Sequence, residues 1–171
     1  IAPNARKNVD GFLEGNGVVF AHARGHLCAL KTPAQIDAKY KRWSYDHLPL
    51  LPPVIPLCIR EGCSKEFQLL KKLLKDSRRF DTVVCATDAG REGQYIFDLI
   101  YQHAGSKLPV KRLWLSAFTD ESIKKAWANM RDMESYSGLS RAARLRSYAD
   151  WYVGMNASPA VSLAAGPTIN V

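Results

Sequence analysis

The sequence has no apolar run near the twenty or so residues needed to cross a bilayer, so no membrane partner is expected. Its start, IAPNARKNVD, lacks the apolar core of a signal peptide. It also lacks an initiator Met, from which the chain is expected to begin inside a longer protein. The four cysteines, Cys28, Cys58, Cys63 and Cys85, form no CxxC pair. No histidine lies near the closest two, Cys58 and Cys63, so a zinc site is not indicated. All four read as reduced thiols of a cytoplasmic protein. A GxGxxG fingerprint is missing too, with only Gly90 and Gly93 in the relevant turn, which argues against a nucleotide cofactor. Internal repeats and low-complexity segments are absent.

What is present is enough for one domain, or for one domain plus part of a neighbour: 171 residues, 47% of them hydrophobic. Lys and Arg total 24 against 16 Asp and Glu, a net charge of +8. That surplus favours a polyanionic partner such as nucleic acid, because each cation set against a phosphate releases counterions; it is also compatible with ordinary solubility.

Along the chain, residues 11–23 read as two short strands around the turn Glu14-Gly-Asn-Gly17. The prolines of residues 48–56 suit an extended connector. Phe67, Leu70, Leu73 and Leu74 recur at helical spacing. Residues 83–86 form a short apolar run expected of a strand covered on both faces. Gly93, Ile96, Phe97 and Ile100 give a second helix, and residues 110–115 another strand. Thr119 resembles an N-cap ahead of Asp120 and Glu121, with Ile123, Ala126, Trp127 and Met130 on one face. This alternation predicts an α/β fold with a parallel sheet flanked by helices. After Ser137 comes one long helical stretch, with Ala142, Leu145, Ala149, Tyr152 and Val153 as its apolar stripe. The expected division is 1–133 for the α/β domain and 134–171 for the beginning of a helical one.

The stretch ATDAGREGQ, residues 86–94, concentrates chemistry at the end of a strand, where open α/β sheets place their ligands. Asp88 and Glu92 lie within one turn and offer the hard oxygen donors that suit Mg²⁺. Arg91 can grip a phosphate through a fork of hydrogen bonds, and the helix start adds backbone donors. The same residues also fit a plain structural reading, because acidic groups near a helix start are favoured by the helix dipole by about 0.3–1 kcal/mol.

These residues carry a resemblance to a known family. ATDAGREGQ is similar to the TOPRIM signature of type IA DNA topoisomerases, usually close to DxDREGE. The stretch 11–27, GFLEGNGVVFAHARGHL, resembles that family's second strand and Gly-His turn. YKRWSYDHLPLLP, residues 40–52, resembles its Tyr, Trp and Leu-Pro stretch, and RSYADWYVGMN, residues 146–156, the opening of its next, helical domain. The order matches, and the mixture is most like the topoisomerase III branch. The resemblance implies a Rossmann-like TOPRIM sheet, DNA as partner, Mg²⁺ as cofactor, no nucleotide cofactor, and a cytoplasmic, nucleoid-associated enzyme. It implies breakage, passage and rejoining of single DNA strands without ATP.

Residue by residue, it implies that Asp88 and Glu92 are metal ligands, that Asp88, Arg91 and Glu92 form the catalytic set, and that His26, Arg91, Arg146 and Asp150 meet the DNA backbone. From spacing alone, His26 serves equally to satisfy a loop carbonyl, and Arg146 with Asp150 forms an i, i+4 ion pair. Gly90 stands where many members carry a second Asp, Gln94 where Glu is frequent, and Pro159 where Arg is frequent. A further glutamate, in an EKPS-like strand, would precede Ile1, and the nucleophilic tyrosine would follow Val171. None of the seven tyrosines here matches its motif, so the isolated chain is expected to be inactive. Other readings are another TOPRIM enzyme, a primase or nuclease, and a nonenzymatic basic DNA-binding module. Trp43, Trp114, Trp127 and Trp151 read as core or domain-contact residues, and the 65–75 lysines as a solvated helix face.

Overall fold

In the computed structural model, residues 2, 4–7 and 10–166 are described. Strands β1 (Arg6–Lys7), β2 (Leu13–Gly15) and β3 (Val18–Phe20) form an antiparallel sheet. Asn16 and Gly17 have φ of 52° and 74°, the left-handed pair that a two-residue hairpin turn requires, as the sequence predicts. Strand β4 (Cys28–Leu30) pairs antiparallel with β5 (Leu57–Ile59). Between them lie the short α1 (Pro33–Ile36) and the proline-rich connector, which buries Leu50 and Ile55.

Helix α2 (Ser64–Lys75) presents Phe67 and Leu70 inward. Strand β6 (Val83–Cys85) then leads into α3 (Arg91–Ala104), and β7 (Val110–Arg112) returns parallel to β6 with Val83 opposite Val110. Thr119 caps α4 (Asp120–Ala128) by accepting a bond from the Ser122 N–H. The face of Ile123, Ala126, Trp127 and Met130 is half-buried. Strand β8 (Arg131–Asp132) closes this sheet antiparallel to β7. Among the described residues the parallel ladder is thus a single strand pair, narrower than the sequence suggests. β6 is also less enclosed than its apolar run implies, since Val83 and Val84 are half-buried and Cys85 alone is buried.

The long helix α5 (Ser137–Ala165) forms as expected, but of its expected stripe only Tyr152 packs against the core, and Ala142, Leu145, Ala149 and Val153 are exposed. Ala143, Trp151 and Pro159 are buried, whereas Leu145 is 60% and Val153 66% exposed. Hydrogen bonds decide the rotation. Tyr95 of α3 bonds the Ser147 hydroxyl at 2.7 Å, and the Trp151 indole donates to the Lys31 carbonyl at 2.9 Å. Those bonds, together with burial of the Trp151 ring, offset the exposure of one leucine and one valine. The core accordingly runs from Phe12, Leu27 and Phe67 through Tyr95, Leu99 and Ile100 to Ala143, with Leu50, Ile55 and Trp151 as a second cluster.

Candidate functional site

The acidic turn is made by a tight crossing. A Cβ on Gly93 would lie 2.3 Å from the Asp88 carbonyl oxygen, so only glycine lets α3 start this close to the end of β6. The Thr87 hydroxyl donates to the Gly93 carbonyl at 2.8 Å and ties the two ends of the turn together. Asp88, Arg91 and Glu92 are all left exposed at the start of α3.

Facing them is the Gly25-His26 turn. Gly25 has φ of 71°, the Arg24 N–H donates to the Glu66 carboxylate at 2.8 Å, and the Leu27 side chain is fully buried. The Arg60 N–H donates to the Leu27 carbonyl at 2.9 Å. So anchored, His26 places its Nε2 2.5 Å from a Glu92 carboxylate oxygen. Its imidazole therefore engages the acidic turn directly, which neither of the two sequence readings foresees.

The third wall is α5. Arg146 and Asp150 pair at 3.7 Å, both well exposed, and both face the same open cleft of about 880 Å³. The six residues singled out in the sequence, His26, Asp88, Arg91, Glu92, Arg146 and Asp150, all line that cleft. Gln94 does not. It is fully buried, donates to Asp98 at 2.8 Å and to the Met133 sulfur at 3.1 Å, and costs the cleft no carboxylate. Pro159, likewise buried, is absent from the lining.

Two arginines escaped the sequence reading. Arg60 lines the cleft from the end of β5; nothing in its local pattern marks it, since it reaches the site only through strand pairing. Arg112 is fully buried behind the acidic turn, and its signal was available as a charge inside an apolar strand. Tyr95 lies in the cleft wall, but its hydroxyl is committed to Ser147 and burial raises its pKa, so it is a poor nucleophile.

The donor set suits a hard divalent cation in kind and is sparse in number. Among the described residues no three His, Cys, Asp or Glu side chains converge as a metal cage. Asp88 and Glu92 supply two carboxylates, and a side chain at Gly90, whose backbone is extended at φ 168°, would meet nothing within 4 Å. The turn therefore has room for a further ligand.

The molecule is thus an α/β domain that carries an acidic strand-to-helix turn at the carboxyl end of a parallel strand pair. The chain belongs to the Toprim domain family, whose profile matches residues 2–118. It is similar to the DNA topoisomerase 3 of Bacillus anthracis, 37% identical over 164 residues, which are 96% of this chain and 22% of that protein. The DNA topoisomerase 3 of Shouchella clausii is 40% identical over 153 residues, 90% of this chain and 21% of the relative. That of Staphylococcus epidermidis is 35% identical over 161 residues, covering 94% and 22%. The chain thus spans about a fifth of the length of these relatives. Among the described residues no helix is long and apolar enough to cross a membrane.

Proposed function

We propose that this chain is the TOPRIM part, residues 1–133, and the beginning of the helical domain, residues 134–171, of a type IA DNA topoisomerase of the topoisomerase III kind. One observation carries the reading: residues from three separated stretches of sequence, 26, 88–92 and 146–150, converge on a single open cleft. The whole protein would break one DNA strand through a tyrosine, leaving a 5′-phosphotyrosine, pass another strand and rejoin the first. The bond energy is kept in the phosphotyrosine ester, so no ATP is needed.

Asp88 and Glu92 would hold Mg²⁺, which when bound supplies positive charge opposite phosphate oxygens. This chain's own residues bind and orient the strand. Arg91 grips a backbone phosphate, and Arg146, oriented by Asp150, engages the strand from α5. His26 donates to or accepts from Glu92 and so sets which carboxylate oxygen faces the cleft; Glu92 can carry a proton to or from the leaving oxygen. The DNA substrate is single-stranded or negatively supercoiled, and binding is mainly electrostatic.

The test is relaxation of negatively supercoiled plasmid by the full-length protein with Mg²⁺. Activity should fall by about 10²-fold or more in Asp88→Ala and Glu92→Ala. The isolated chain should give no relaxed topoisomers, since none of its tyrosines matches the nucleophile's motif and Tyr95 in the cleft wall is bonded to Ser147. It should bind single-stranded oligonucleotide weakly, with affinity falling as salt rises, and Arg146→Ala should weaken binding more than Lys72→Ala. Nuclease products without rejoining would favour another TOPRIM chemistry. Binding indifferent to Asp88 and to Mg²⁺ would favour a nonenzymatic module.

A further inference from the structure

Arg112 is the largest fully buried side chain among the described residues. Its guanidinium reaches four main-chain carbonyls: the two Nη1 hydrogens are shared among Cys85 at 3.0 Å, Thr87 at 2.7 Å and Leu113 at 3.0 Å, and Nη2 donates to Asp88 at 2.6 Å. It also lies 5.1 Å from the ring centre of Trp114, which stacks on Tyr136. Its Nε has no hydrogen-bond partner. Burying a cation is costly, and an apolar side chain of similar volume would serve a plain core as well or better. A buried cation retained on the backbone of one turn therefore points to what that turn does.

Two of the four acceptors, Thr87 and Asp88, are the residues from which the acidic turn departs. Asp88 is clamped on both sides, with Gly93 packed against its backbone and Arg112 bonded to its carbonyl. We infer that Arg112 is a positioning residue for the divalent-cation site: it fixes the two peptides that flank Asp88 so that the Asp88 carboxylate faces the cleft, and it keeps their carbonyl oxygens occupied. A divalent cation would then be held by side-chain carboxylates on a backbone already fixed in place, with the Thr87 and Asp88 carbonyls committed elsewhere. Lysine cannot substitute, because an ammonium has neither the planar fork nor the reach to serve four carbonyls. This inference rests on the reading of Asp88 and Glu92 as metal residues.

The experiment measures Mn²⁺ binding to the full-length protein by the loss of the free-ion paramagnetic resonance signal, at a temperature well below every variant's Tm. Asp88→Ala is the control for the metal reading itself. If it leaves Mn²⁺ affinity unchanged, that reading fails whatever Arg112 does. If it weakens binding, Arg112→Lys and Arg112→Ala should weaken it too, by about tenfold or more. Added guanidinium ion should restore affinity to Arg112→Ala. Wild-type affinity in folded Arg112→Lys, or guanidinium that raises Tm without restoring affinity, overturns the inference. A crystal structure of the wild-type protein with Mn²⁺ decides the case even if no Arg112 variant folds. Arg112 should still bond the Asp88 carbonyl while the Asp88 carboxylate contacts the ion, and a turn that has released Arg112 overturns the idea.

Discussion

Asn156 satisfies both backbone groups of Leu50, a residue 106 positions earlier: its Oδ1 accepts from the Leu50 N–H at 2.6 Å, and its Nδ2 donates to the Leu50 carbonyl at 3.0 Å. A side-chain amide here does what a neighbouring strand would do for an irregular segment. Tyr152 adds a bond to the Pro52 carbonyl at 2.5 Å and Trp151 one to Lys31 at 2.9 Å. The proline-rich connector and the Trp-Tyr-Asn segment of α5, far apart in the sequence, form one structural unit. It holds α5 where Arg146 and Asp150 reach the cleft.

Asn156→Ala should therefore destabilise the chain by about 2–3 kcal/mol, because two partly buried backbone groups lose their partner at once. Urea unfolding of the purified chain checks this. A loss below about 0.5 kcal/mol, the range of an ordinary surface substitution, would mean that water replaces Asn156 without penalty.

The two glycines of the acidic turn should respond in opposite ways. Gly93→Ala forces a Cβ to within 2.3 Å of the Asp88 carbonyl oxygen and should cost about 1–3 kcal/mol while displacing Asp88. Gly90 has extended backbone and open space, so Gly90→Asp should fold normally and add a third carboxylate to the cleft. Calorimetric Mg²⁺ titration of the full-length protein should show tighter binding for Gly90→Asp than for wild type. Unchanged affinity would place position 90 outside the metal's reach.

The cysteines should divide into two kinetic classes. Cys28 and Cys85 are buried, and burial pushes the Cys28 thiol up to about 11 and raises that of Cys85 as well. Cys58 and Cys63 are half-buried. Titration with a disulfide reagent at pH 8 should label Cys58 and Cys63 promptly, with Cys28 and Cys85 reacting only on unfolding. Four thiols reacting at one rate would contradict the packing around β4 and β6.

His103 sits against the ring of Phe67 at 5.1 Å, and burial, with Lys71 nearby, holds its pKa below the ordinary value of 6.5. The unfolded chain then takes up this proton at higher pH than the folded one. Stability from this residue is present above the ordinary pKa and declines as pH falls through 6.5 towards the folded value. His103→Gln should flatten stability between about pH 7 and pH 5 relative to wild type. Denaturant midpoints across that range measure it, and parallel profiles for the two proteins would exclude His103 as the source.

Several features that depend on near neighbours were readable from the residues alone. The hairpin at Asn16-Gly17, the helical spacing from Phe67 and from Gly93, and the Thr119 cap are set by turn chemistry and spacing within a few residues. The acidic turn was legible for the same reason, as Asp88, Arg91, Glu92 and Gly93 lie within six positions. The tertiary structure alone decided which face of α5 turns inward, because Leu145 and Val153 are as apolar as the buried row. Bonds from Tyr95, Lys31 and Leu50, all distant in the chain, break that tie. It also decided the contact of His26 with Glu92, the entry of Arg60 into the cleft and the burial of Gln94 and Arg112. Each depends on which segments meet, and periodicity in one segment carries no record of what another brings to it.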